Sequence, residues 1–199
     1  VEAGDAVLIH AAASGVGLAA IQLVRRAGAT PLVTVGSEAK LQQCLALGAA
    51  GGAIRHDGPW AEKISAMLPT GKKGLDVVLD PVASSYAKQN VEALAIDSRW
   101  VLYSTLSGPS LPDDLANTFL GALAKKRISL LATTLRTRPI AYKQMLMKAF
   151  AREVLPKLAS GELVHVIDRE FEGLGQAQAA HEYMESNAGS GKLVLKIAP

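Results

Sequence analysis

The chain has 199 residues, of which 49% are hydrophobic and 20% charged, so it can bury a sizeable core and has the profile of a globular protein. Its 21 Lys and Arg are scattered among 18 Asp and Glu for a net charge of +3, a balance that argues against nucleic acid and favours a small anionic partner. One cysteine, Cys44, excludes a disulfide framework and disfavours a Cys-based zinc site, and no apolar run reaches the roughly 20 residues of a membrane span.

Short apolar runs alternate with helical patterns along the first half. Strands are predicted at Ala6–His10, Pro31–Val35, Asp76–Leu79 and Trp100–Tyr103, and helices over Gly17–Ala27, Ala39–Leu47, Trp60–Leu68 and Tyr86–Leu94. Gly28 and Gly48 stand just past helix ends, and Gly74 precedes the third strand. Strands apolar throughout, each followed by a helix, indicate a parallel sheet covered on both faces. With right-handed crossovers this predicts an α/β fold, a Rossmann-like doubly wound parallel sheet. Leu106–Asp114, rich in Pro, Gly and Ser, is the clearest loop. Beyond it, helices are predicted over Asn117–Leu123 and Tyr142–Phe150, with a candidate strand at Ile128–Leu131 between them. Strands at Val164–Arg169 and Lys192–Ile197 flank a helix over Gly175–Asn187.

The first strand runs into Ala12-Ala13-Ser14-Gly15-Val16-Gly17. A turn that presents its backbone N–H groups to a phosphate needs small residues, so that the anion can approach and the next helix can pack closely. Ala12 and Ser14 stand where a dinucleotide fingerprint has its first two glycines, and Gly15 and Gly17 keep the turn small. Taken alone, the motif reads equally well as an ordinary strand, turn and helix.

The end of the second strand adds information. An NAD binder places an acid there for the ribose 2′-hydroxyl. Here the strand ends at Gly36, followed by Ser37 and, one helical turn on, Lys40. A neutral tip with a hydroxyl and a cation suits a 2′-phosphate, which an acid would repel; Glu38, at a helix start, is expected to face solvent. The plain alternative is that Lys40 is a solvated helix charge.

No catalytic constellation and no metal site is expected. Ser14 is followed directly by Gly15 and so departs from the G-x-S-x-G elbow of a hydrolase. His10 lies inside a strand and reads as a core histidine, while His56, His165 and His181 show no metal-ligand spacing. Cys44 reads as a small buried hydrophobe.

The stretch GDAVLIHAAASGVGLAAIQLVRRAGATPLVTVGSEAKLQQCLALGAA (4–50) resembles the cofactor domain of the medium-chain dehydrogenase/reductases, in the branch of the zinc-free, zeta-crystallin-type quinone oxidoreductases. The resemblance continues through GLDVVLDPVASSY (74–86), ALAIDSRWVLYSTLSG (93–108), YKQMLMKAF (142–150) and GKLVLKI (191–197). It implies that the turn of Ser14, Gly15, Val16 and Gly17 holds a pyrophosphate, and that Gly36, Ser37 and Lys40 hold the adenosine ribose and its 2′-phosphate. Arg55 stands where the family often has tyrosine, and its charged fork suits a phosphate, pointing to NADPH as the cofactor. By the same resemblance Val82 and the loop of Tyr103, Ser104, Thr105 and Leu106 lie along the ribose and nicotinamide, and Leu135 and Asn187 match later cofactor contacts. Ala83 and Ser104 replace residues that are commonly glycine in the family.

The family implies an NADPH-binding domain over residues 1–163 and a C-terminal segment, 164–199, that completes it. That segment would pack back on a GroES-like N-terminal domain, whose absence fits a chain that starts at Val1 without methionine. It further implies a homodimer through an edge strand, a quinone-type substrate, no membrane and a cytoplasmic location. Two other readings stand beside the reductase. One is a module that binds NADPH without turnover. The other is a methyltransferase, which Gly36 disfavours because that class also wants an acid at the second strand tip.

Overall fold

The computed structural model describes residues 1–197. Its first strands and helices are β1 (Ala6–Ile9), α1 (Gly15–Arg26), β2 (Thr30–Val35), α2 (Glu38–Ala46), β3 (Gly51–Ile54) and α3 (Trp60–Ser65). β4 (Leu75–Asp80), α4 (Ala87–Ala93) and β5 (Leu94–Leu102) follow, with a single 3-10 turn at Ser84–Tyr86 between β4 and α4. Then come α5 (Asp113–Ala116), α6 (Phe119–Lys126), β6 (Ser129–Ala132), α7 (Ile140–Glu153) and α8 (Leu155–Ala159). β7 (Ile167–Glu172), α9 (Ala177–Glu185) and β8 (Lys192–Lys196) close the described chain.

Six strands form one parallel sheet in the order β3-β2-β1-β4-β5-β6. This is the doubly wound, Rossmann-like order anticipated from the alternation of strands and helices, and it reverses between β1 and β4. Two cores follow from the two-residue period of the strands. Ala6 and Leu8 of β1 point to one face, with Leu32, Trp60, Ile64, Val78 and Trp100. Val7 and Ile9 point to the other, with Ile21, Val33, Cys44 and Val77. Cys44 is fully buried, and desolvation pushes its thiol up to about 12, so it is an inert packing residue.

Three strands differ from the expectation, and one of them, β7, lies over Ile167–Glu172 and not Val164–Arg169. β3 is unexpected, because its first two residues, Gly51 and Gly52, leave it without an apolar run of its own. A Cβ on Gly52 would come within 2.8 Å of Leu41 Cδ1 and of the Val33 carbonyl. The glycine that hides the strand is therefore what lets α2 close onto it. β5 starts earlier than Trp100: Leu94 pairs with Leu75, Arg99 with Val77, and the residues between bulge out with Asp97 at φ +62. Arg127 holds that bulge, donating from Nε and Nη2 to the two Asp97 oxygens at 2.6 Å.

The C-terminal elements form a second, two-stranded parallel sheet of β7 and β8, with α9 between them in sequence. This small unit is stitched to the turn after β1. Gly191 N donates to the Ala13 carbonyl at 3.0 Å, and the Ser190 hydroxyl donates to the same oxygen at 3.2 Å.

α1 is brought against β1 by a single close approach. A Cβ on Gly17 would lie 2.5 Å from Ala12 Cα and 2.6 Å from its carbonyl carbon, a collision with backbone that no rotamer relieves. Gly17→Ala is expected to cost about 3 kcal/mol of unfolding free energy, measured by urea denaturation. Wild-type stability in that variant would show that the helix can stand off the strand.

Candidate cofactor site

The turn between β1 and α1 is built for an anion. Ala11 takes a left-handed conformation at φ +48, and Ser14 N closes the turn by donating to the Ala11 carbonyl at 2.9 Å. The Ser14 side chain caps α1 by accepting from Gly17 N at 3.1 Å. The first turn of α1 contains no acidic residue, so its free N–H groups and positive dipole end are uncompensated from within the helix. Gly15 opens α1 with the side chain of Lys192 laid across it; a Cβ there would stand 3.0 Å from Lys192 Nζ. Val16 is 54% exposed and Gly17 packs against Ala12, so what these two offer a ligand at the helix start is their backbone, the Gly17 N–H being shared with the Ser14 cap.

The cleft itself runs from this turn to the tips of β2 and β3. Ala13, Ser14, Thr34, Gly36, Lys40, Arg55, Val82 and Tyr86 line one side, and Asp168, Met184, Asn187 and Gly191 of the C-terminal unit line the other. The Arg55 guanidinium lies over Gly36, where an added Cβ would be 3.7 Å from Nη2. Lys40 reaches across and donates from Nζ to the Asn187 carbonyl at 2.6 Å, with Asn187 itself in a left-handed conformation at φ +55. Desolvation pushes the Lys40 ammonium below its ordinary pKa, Arg55 adds to that, and Asp168 opposes it. The Ser37 side chain caps α2, its Oγ accepting from Lys40 N at 3.4 Å, which leaves the hydroxyl proton free to donate. The cap starts the helix that carries Lys40.

The expected nicotinamide-side residues form a separate group at the ends of β4, β5 and β6. Tyr103, Ser104 and Thr105 line one depression with Thr133 and Arg138, and Leu135 lines an adjoining one that Tyr103 shares. Burial, then Asp80, pushes the Tyr103 hydroxyl up to about 12. Leu106 is 73% exposed and takes part through its backbone N–H, which donates to the Pro81 carbonyl at 2.9 Å. Val82 belongs with the first group, on the cleft near Tyr86.

Sequence reasoning missed Tyr86, Asp168 and Lys192. Tyr86 lies at the N-terminal edge of a predicted helix and Asp168 within a predicted strand, while Lys192 is the first residue of one; nothing local marks them. Only the closing of β7, α9 and β8 over the turn brings Asp168 to the cleft and lays Lys192 over Gly15. His10, read as a core histidine, is fully buried with both ring nitrogens bonded.

A glycine-lined turn at a helix start, two cations at the tips of β2 and β3, and their place beside the point where strand order reverses define a nucleotide-binding domain of the Rossmann class. Residues 15–152 match the family model described as "zinc-binding dehydrogenase". The chain belongs to this family, within the medium-chain dehydrogenase/reductase superfamily. It is 32% identical over 198 residues to highly-reducing polyketide synthase 1 of Aureobasidium melanogenum, covering 96% of this chain and 8% of that protein. It is 31% identical over 194 residues to the quinone oxidoreductase of Salmonella typhimurium, covering 94% of this chain and 55% of the relative. Among solved structures, the quinone oxidoreductase of Thermus thermophilus, described with its NADPH complex, superposes with a TM-score of 0.79 at 27% identity, over 99% of this chain and 59% of that one. The chain thus spans little more than half the length of these two reductases and a small part of the synthase.

The residues present fit the phosphates of a dinucleotide, because a Cβ on Gly15 would meet the far end of the flexible Lys192 side chain and not backbone. Gly15→Val would fill that space with a branched side chain while leaving the Gly17–Ala12 contact untouched. The variant is expected to keep its urea midpoint and to lose NADPH binding in a calorimetric titration. Binding at wild-type strength would remove the turn from the site.

Proposed function

We propose that the chain is the cofactor-binding part of a cytoplasmic, zinc-independent NADPH-dependent oxidoreductase that passes a hydride to a quinone or to an α,β-unsaturated carbonyl. The observation that carries this reading is the convergence of Lys40 and Arg55 on the neutral β2 tip at Gly36. Two cations where an NAD binder has a carboxylate favour a 2′-phosphate. The quinone assignment follows the Salmonella and Thermus relatives, whose names carry that activity.

When bound, NADPH would supply the hydride, and the organic chemistry would be its own. The chain's residues bind and orient. The amides at the start of α1 receive the pyrophosphate, and Lys40 and Arg55 receive the 2′-phosphate, the Arg55 fork being suited to bond it bidentately. Tyr103 stays a neutral phenol at physiological pH, since its hydroxyl is pushed up to about 12. A quinone takes its protons from solvent, so no acid or base need come from these residues.

We propose further that two copies pair through β6. This strand is the outer edge of the six-stranded sheet, and its Leu130 and Leu131 are 40% and 48% exposed. An unpaired edge carrying exposed leucines is a template for a second strand.

Two measurements test the reading. In calorimetric titrations NADPH should bind at least about tenfold tighter than NADH, since a charge-assisted contact contributes about 1.5–3 kcal/mol. Lys40→Ala should remove most of that difference by weakening NADPH alone; equal affinities in the wild type would refute the 2′-phosphate assignment. For the pairing, Leu131→Lys should halve the mass measured by size-exclusion chromatography with light scattering. A wild type that already runs as a monomer would refute the β6 dimer.

A further inference from the structure

A continuous chain of hydrogen bonds runs beneath the carboxyl ends of β2, β1 and β4. Thr34 Oγ1 lies 2.7 Å from His10 Nδ1, and His10 Nε2 lies 2.8 Å from Asn90 Oδ1. Asn90 Nδ2 donates to Asp80 Oδ2 at 2.9 Å, and Trp100 Nε1 donates to the same oxygen at 3.0 Å. The other Asp80 oxygen accepts from Val82 N at 2.6 Å and Ala83 N at 3.0 Å. Thr34, His10, Asn90 and Asp80 are all buried, at 0–1% exposure.

Burial lowers the His10 pKa, and with the ring neutral each bond of the chain has one direction. Asp80 offers only acceptors, so the Asn90 amide nitrogen must face it and the Asn90 oxygen must face His10. That oxygen requires a donor, so His10 carries its proton on Nε2. With the ring neutral, Nδ1 accepts from the Thr34 hydroxyl. The Trp60 and Tyr86 rings pack edge-on against the imidazole, with centroids at 4.8 and 4.7 Å, and keep its plane fixed.

The two ends of the chain matter most. Thr34 lines the cleft on the adenosine side. Asp80 holds the turn at Val82 and Ala83, where Ala83 sits at φ +71 and ψ −112, a conformation that costs a residue with a side chain of order 1–3 kcal/mol. The same turn is bonded to the nicotinamide-side loop, since the Val82 carbonyl accepts from Ser107 N at 3.0 Å and from its hydroxyl at 2.8 Å. Folding alone does not demand this set, because apolar residues of the same shape can replace a fully bonded buried pair at little cost. One end, Thr34, lies in the cleft, while the other, the Val82–Ala83 turn, is bonded to the loop that follows Tyr103.

We propose that Asn90 is a positioning residue for the cofactor: through His10 and Thr34 on one side and Asp80 on the other, it holds the nicotinamide half of the cleft in register with the adenosine half. This rests on the cofactor reading above. Cutting the chain at Asn90 leaves Thr34 with its His10 partner but loosens the strained turn, so only a ligand that spans both halves should be affected.

The test compares two ligands on the full chain: 2′,5′-ADP, which occupies the adenosine side alone, and NADPH, which spans the cleft. In Asn90→Leu the affinity for 2′,5′-ADP is expected to stay within twofold of wild type while that for NADPH falls about tenfold. Equal loss for both ligands, or loss for neither, overturns the proposal. Because the variant could fail to fold, nitrogen NMR of the wild-type imidazole supplies a second measurement: at pH 7 His10 should be neutral with its proton on Nε2. An imidazolium, or a proton on Nδ1, overturns it as well. A wild type that binds neither ligand would instead refute the cofactor reading itself.

Discussion

Everything at this site depends on how closely α1 approaches β1. The helix can aim its first amides at a ligand only if it starts immediately beyond the strand and lies tight against it. That closeness comes from Gly17, whose missing Cβ leaves room for the Ala12 backbone. Ser14 then caps the helix from the strand side, so the amides behind the cap stay oriented. The absence of an acid in the first turn leaves the dipole end for an external anion. Without the close approach, the cations gathered at the β2 and β3 tips would face a groove with no floor.

The C-terminal unit supplies the opposite wall. Gly191 and Ser190 bond the Ala13 carbonyl, which fixes β8 at the mouth of the turn and sets Lys192 over Gly15. Asn187 receives the Lys40 ammonium on its carbonyl, so a residue far along the chain sets the reach of a cation on α2. Asp168 opposes the two cations and offsets part of the mutual repulsion between Lys40 and Arg55. Two cations against one carboxylate leave the region of the β2 tip positive.

What was legible in the sequence was local. The Ser14-Gly15-Val16-Gly17 turn, the neutral tip at Gly36 and the cation at Lys40 lie within contiguous stretches whose strand and helix periods are strong. β3 was not legible, because Gly51 and Gly52 erase the apolar signal that would announce a strand. The bulge in β5 was equally silent, since its left-handed residue is Asp97 and not a glycine. Ser37 reads from the sequence as a phosphate ligand; in the fold its oxygen also caps α2, a use that leaves its O–H free to donate. Lys192 and Asp168 act only through tertiary closure of a unit far along the chain, which no spacing rule reports.

Asp80 shows most plainly why the site residues cannot be read one at a time. Its two oxygens accept from four donors: two backbone amides of a strained turn, an asparagine amide and an indole. Each donor replaces a water that burial removed, so both oxygens of the buried carboxylate are satisfied. The carboxylate in turn raises Tyr103 and steadies the Val82 backbone, so the nicotinamide-side loop and the adenosine-side cleft share one anchor. A dinucleotide is long and has many internal rotations, and a protein that holds both ends must keep the two grips at a fixed separation. Here the strands provide the coarse spacing, and the buried polar chain from Thr34 to Asp80 is the link that we propose ties the grips to one another.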